Sequence, residues 1–173
     1  PALKRAVRPG GVYVGVAPDQ NFTYINAVRP RMAFIVDIRR GNLLSHLMYK
    51  ALFELSADRA EFLSRLFSKP RPANLTARST VADLFNAFDR TETSKELYAE
   101  NLAALEHHLL RKHNFTMSAA DIEQLENIYW AFFWEGPGLR YSTSPGGLGG
   151  RGYGGNFPTY EELMLQTDWE GEP

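Results

Sequence analysis

Cysteine is missing from all 173 residues. Its absence excludes disulfides, thiol nucleophiles and thiolate metal sites, and it suits a reducing compartment such as the cytoplasm. A dominant charge is missing too. Nineteen Lys and Arg stand against 20 Asp and Glu, a formal net charge of −1. No field therefore draws the chain to nucleic acid or to an acidic membrane. No apolar run approaches the roughly 20 residues that span a bilayer. The opening "PALKRAVRPGG" has no hydrophobic signal core. A G-x-S-x-G elbow and a P-loop lysine are also absent. What is present is a globular composition, 44% hydrophobic and 23% charged, in a chain long enough to bury a core.

Two short apolar runs read as strands, Val12 to Val16 and "MAFIVDI" from Met32 to Ile38. Neither alternates with polar residues, so both are expected in a sheet covered on both faces. "QNFTYINAVRP" between them is the length of a short crossover helix, which gives a right-handed βαβ unit. Helices follow. Asn42 is expected to cap "LLSHLMYKALFELS", with Leu43, Leu47, Leu52 and Leu55 on its apolar face. Capping-box spacings mark further starts at Asp58 with Glu61, Thr93 with Glu96, Ser118 with Asp121, and Thr159 with Glu162.

The stretch from Gly136 to Gly155 holds nine of the 14 glycines. It reads as a flexible surface loop or as a lid presenting Arg140, Tyr141, Arg151 and Tyr153. The fold class is α/β: a Rossmann-like βαβ half-domain with few parallel strands and a largely helical remainder. Four segments follow, in the order 1–70 (βαβ unit and the next helices), 71–135 (helical), 136–158 (loop or lid) and 159–173 (start of a further helix). Two strands make a poor stand-alone sheet. The missing half is expected from a longer protein or from a second copy.

The helix after a parallel strand offers free N–H groups and a positive dipole end at the strand's carboxyl end. Open α/β sheets bind ligands there. Here the turn is Gly15-Val16-Ala17-Pro18-Asp19-Gln20-Asn21. Of the dinucleotide pattern G-x-G-x-x-G only the first glycine is present. Asp19 adds negative charge where a phosphate would sit. Both points argue against NAD and ATP. Asp37 ends the second strand, 22 residues after Gly15, close to the spacing at which an acid meets a ribose diol. An adenosine ligand without phosphate fits these residues, and S-adenosylmethionine fits best on charge. Asp37 would hold the ribose. Gly15 and Ala17 would admit the ligand to the backbone, and Asp19 and Asn21 would contact its methionyl or adenosyl part. The alternative is structural: Asp37 caps the helix at Asn42 or pairs with Arg39 or Arg40.

"VYVGVAPDQN" and "FIVDIRRGNL" together resemble the first two motifs of class I S-adenosylmethionine-dependent methyltransferases. Gly15 matches the glycine-rich turn and Asp37 the ribose-binding acid. Tyr13, Ala17 and Asp19 depart from the family's acidic residue and later glycines. Over more of the chain, "GVAPDQN" through "FLSRLF" with the later "FPTYEELMLQTD" resembles a group of bacterial proteins, the leptospiral LIC_10091-like family, placed by fold with the methyltransferases. That resemblance implies that Asp19, Gln20, Asn21, Asp37, Arg39, Arg40 and Asn42 lie in the family's shared segment. It also implies further Rossmann strands beyond residue 173.

Other chemistry is sparser. His107, His108 and His113 are separated by one, five and six residues, not by the i, i+4 spacing of helical zinc pairs. No metal site is expected, and the three read as cations at a solvated helix end. His46, one turn into its helix, is a candidate proton carrier beside Asp37. Tyr129, Trp130, Phe132, Phe133 and Trp134 read as core, or as a pocket wall or subunit interface. The functional expectation is a methyltransferase-like protein that uses S-adenosylmethionine as a small-molecule ligand, with no catalytic residue or methyl acceptor assigned. The alternatives are a non-catalytic binding or regulatory protein on a degenerate Rossmann scaffold, and a hydrolase using the glycine-rich loop.

Overall fold

The structure, a computed structural model, describes residues 5–16, 20–140 and 158–166. The chain divides into two units, Pro1–His46 and Leu47–Pro173. The division falls inside a helix, whose first turns group with the βαβ unit.

In the first unit, β1 (Val12–Val16), α1 (Gln20–Val28) and β2 (Met32–Val36) follow in the expected order. The strands pair in parallel, from Val12 opposite Met32 to Val16 opposite Val36. Two backbone bonds return the end of α1 to the start of β1: Gly10 N–H to Arg29 O at 3.0 Å and Arg31 N–H to Gly11 O at 2.8 Å. Side chains alternate across a strand, so the register puts Val12, Val14, Val16, Met32, Phe34 and Val36 on one face. All six are at least half exposed, from Phe34 at 50% to Val14 at 67%. This corrects the expectation of cover on both faces. An apolar run records that a strand can be buried, and no layer among the described residues buries this face. The other face holds buried Gly15, half-buried Tyr13 and half-buried Ile35.

The helix α2 (Arg40–Leu55) crosses the division. It starts two residues before Asn42, which sits in its first turn and is not its cap. Its buried face is Leu44, Met48, Ala51 and Leu52, while Leu43 is 41% exposed. The apolar stripe is therefore rotated by about one residue from the expected one, because alanine and methionine fill it as well as leucine does.

The second unit continues with α3 (Arg59–Phe67), α4 (Val81–Asp89) and α5 (Lys95–His107). A π-helical turn (His108–Lys112), α6 (Ala119–Glu135) and a short 3-10 turn (Gly136–Gly138) come next. The short helix α7 (Tyr160–Met164) is the last described element. Most of the local start signals hold. Asp58 accepts from Glu61 N at 2.9 Å, and reciprocal capping boxes open α6 at Ser118 and α7 at Thr159. The start of α5 moves from Thr93 to Ser94, whose hydroxyl accepts from Leu97 N at 3.1 Å and donates to Glu96 at 2.8 Å.

The core of this unit is aromatic. Phe67, Phe85, Phe88, Tyr129 and Phe132 are all buried. Tyr160 places its ring edge-on to Phe67 and Phe132, both at 5.8 Å. The Tyr129 hydroxyl donates to Arg65 O at 2.5 Å and lies 2.9 Å from Ser68 Oγ. Burial pushes this phenol up to about 12. On either side of the glycine-rich segment, Arg140 bridges Thr159 and Tyr160 N–H bonds Leu139 O at 2.8 Å. Tyr141, Arg151 and Tyr153 of the expected lid lie outside the described residues.

Candidate functional site

The carboxyl ends of β1 and β2 carry three of the five expected ligand-binding residues. Ala17 and Asp19 lie outside the described residues. Gly15, Asn21 and Asp37 are described, and each already has local work.

Asn21, in the first turn of α1, is 1% exposed. Its amide donates to Val16 O at 3.2 Å, and its oxygen accepts from the Tyr13 hydroxyl at 2.8 Å. This pair fills the space beside Gly15. A Cβ on Gly15 would stand 2.0 Å from Asn21 Oδ1 and 2.7 Å from the Tyr13 hydroxyl. The glycine is required here, but it makes room for the protein's own side chains.

Asp37 follows β2 directly. Its Oδ1 accepts from Arg39 N at 2.8 Å and its Oδ2 from the Asn42 side-chain amide at 2.6 Å. This is an aspartate turn feeding a helix start, the structural role weighed from sequence. Asn42 is buried at 4% exposure, so Asp37 satisfies a donor that water reaches poorly. His46 sets its ring edge against Phe22, centroids 5.4 Å apart. The unit also has an apolar groove of about 400 Å³, lined by Val7, Gly11, Val12, Tyr24, Val28 and Pro30 among others. Its lining gathers around the amino end of β1 and includes neither Gly15 nor Asp37.

A second constellation lies in the helical unit. His108 is buried, which corrects the expected solvated end, while His107 is exposed. His108 Nε2 is 2.6 Å and His113 Nε2 is 2.5 Å from the same atom, Glu54 Oε2. The two imidazole centroids are 5.0 Å apart. Glu54 also pairs with Lys50 through Oε1. The Lys50 bond, then those from His108 and His113, hold the Glu54 carboxyl well below the usual range.

The backbone explains why spacing concealed this group. In an α-helix, residues five apart are rotated by about 140° beyond a full turn. Here residues 108–112 form a π turn, and His113 N–H bonds His108 O at 3.1 Å. The wider turn returns His113 to the side of His108. Glu54 comes from 54 residues earlier in the chain than His108, so no local pattern announces it. The paired histidines were visible in sequence, whereas the π turn and the carboxylate were not.

The aromatic run of α6 divides. Tyr129, Phe132 and Phe133 are core, whereas Trp130 is 42% and Trp134 71% exposed. The two tryptophans stack on each other, centroids 6.1 Å apart.

A family described as a domain of unknown function (DUF7790) matches residues 1–125. The matched segment includes both strand ends and all of Glu54, His108 and His113. No curated protein and no solved structure matches the chain.

Proposed function

The chain belongs to the DUF7790 family, and we propose that its first unit is a non-catalytic binding or regulatory scaffold, a Rossmann-like βαβ unit with a degenerate adenosyl site. The single observation that carries this reading is the Asn21–Tyr13 pair beside Gly15. A working site of this kind keeps that glycine bare so that the cofactor can approach the backbone. Here a carboxamide and a phenol occupy the approach and satisfy each other. The residues at Gly15 do not fit S-adenosylmethionine, and no methyl-transfer step is derived through it. The lack of cysteine suits the cytoplasm as the place where such a scaffold works. No helix among the described residues is long and apolar enough to cross a membrane.

The second reading is a methyltransferase-like enzyme, favoured by one feature. Asp37 stands just past the end of β2, where the acid of a working adenosyl site meets a ribose hydroxyl. Calorimetric titration with S-adenosylmethionine and S-adenosylhomocysteine, with NAD as control, separates the two readings. The scaffold reading expects no heat of binding from any of them. Binding of both adenosyl-sulfur ligands, abolished by Asp37→Ala without a lower melting temperature, would overturn it in favour of the enzyme.

A further inference from the structure

We propose that Glu54, His108 and His113 form a binding site for a divalent first-row transition-metal ion of the zinc type, independent of the strand ends in the first unit. Two imidazole nitrogens and one carboxylate oxygen are ligands that such ions accept, and three protein ligands leave a position for water. The ligand atoms all lie within 4.8 Å of one another.

Geometry favours convergence on an ion over an ordinary ion pair. A carboxylate offers two oxygens, and an ordinary ion pair needs one histidine at either of them. Here both Nε2 atoms meet the same oxygen, at 2.6 and 2.5 Å. The backbone leaves regular α-helix at the residues that bring this about, and π turns of this kind are frequent at functional sites. Ligands about 2.1 Å from a tetrahedral ion stand roughly 3.4 Å apart. The Glu54 oxygen must therefore withdraw by about 1 Å or less to admit an ion between it and the imidazoles. Its side chain is 33% exposed, on a flexible arm, whereas His108 is held at 5%. Lys50 holds Oε1 and leaves Oε2 for the ion.

The imidazoles bind as neutral rings, with Nε2 giving its lone pair and the proton moved to Nδ1. An ion there replaces two N–H···O bonds with three coordinate bonds. It joins α2 to the π turn across 54 residues of chain. The buried Lys69 has a different use: its Nζ donates to Phe88 O at 2.8 Å at the end of α4.

The test is titration of the full chain, first stripped with a chelator, with Zn²⁺ by calorimetry and with Co²⁺ by visible absorption. The proposal expects one ion per chain, a Co²⁺ band in the visible range and a higher melting temperature with Zn²⁺. His113→Ala and Glu54→Gln should each weaken Zn²⁺ binding at least tenfold, and His107→Ala should leave it unchanged. His113 is only half-buried, and Glu54→Gln keeps the side chain's volume, so at least one of the two is expected to fold. No Zn²⁺ binding by the unaltered chain would overturn the proposal. So would binding that persists in folded His113→Ala or Glu54→Gln protein.

Discussion

The two units are held together by different means. Among the described residues, every buried hydrophobic side chain except Leu44 belongs to residues 47–173. The βαβ unit buries polar groups instead: Asn21, Asn42 and Ser45. Each is tied by a short-range hydrogen bond, to Val16 O, to Asp37 and to Gly41 O respectively. The helical unit buries rings against rings. Apolar burial is non-directional and scales with area, so the helical core tolerates small shifts. A hydrogen-bonded junction depends on a few atoms in set positions. The first unit is therefore specific in geometry and poor in burial, and its apolar sheet face adds no core.

The sharpest break in this comparison is a matched pair of truncations. Phe132→Ala in the helical core should cost about 3–5 kcal/mol. Val14→Ala on the exposed sheet face should cost less than about 1 kcal/mol, because little apolar area is lost from burial. Urea unfolding of both variants checks this. Similar costs would show that the sheet face is covered in solution.

The next effect sharpens the view of the first unit. Gly15→Ala forces a Cβ onto Asn21 and Tyr13, and overpacking of this kind costs about 1–3 kcal/mol. Adding Asn21→Ala should recover part of that loss, although Asn21→Ala alone is destabilising. A double-mutant cycle followed by hydrogen exchange at the β1 amides measures the coupling. Strictly additive effects would mean that Asn21 is not what Gly15 accommodates.

Asp58 tests a polar joint inside the helical unit. It caps α3 and also accepts from both Arg71 nitrogens, at 2.9 and 2.8 Å. Asp58→Ala should cost about 0.5–2 kcal/mol for the lost cap. The pairing with Arg71 is the main reason the Asp58 carboxyl sits below its ordinary 3.8. Glu61 sits below 4.5 chiefly through the Ala57 N–H. A lowered folded value means that the contribution is present above the unfolded value and is lost as pH falls toward the folded one. The urea midpoint should therefore drop as pH falls below about 4.5, and by less in Asp58→Ala. The smallest expected effect is Val14→Thr, within about ±0.5 kcal/mol as for an exposed position.

Legibility followed the range of the interaction. The βαβ order was readable because two apolar runs and a crossover length are properties of contiguous chain. The caps at Asp58, Ser118 and Thr159 were readable for the same reason. The cap at Thr93 slipped by one residue because Ser94 competes for the same donors. The buried stripe of α2 was misplaced because leucine spacing does not say which neighbour the helix will meet. Gly15 lies in β1, Asn21 in the first turn of α1 and Asp37 directly after β2, positions that follow from the order of elements. That Asn21 fills the space beside Gly15 depends on Tyr13 reaching across from β1.

By itself the sequence determined the order of elements, the parallel pairing and the helix starts at Asp58, Ser118 and Thr159. These follow from backbone and side-chain preferences within a few residues. It also determined the lack of thiol chemistry, since no fold can supply an absent atom. Tertiary structure decided which apolar face is covered, whether Gly15 faces open space or a side chain, and that Glu54 meets His108 and His113. The Gly15 outcome depends on how β1 and the start of α1 pack together, and the Glu54 cluster on residues 54 apart in the chain and on one π turn that changes the direction of a side chain without changing its identity.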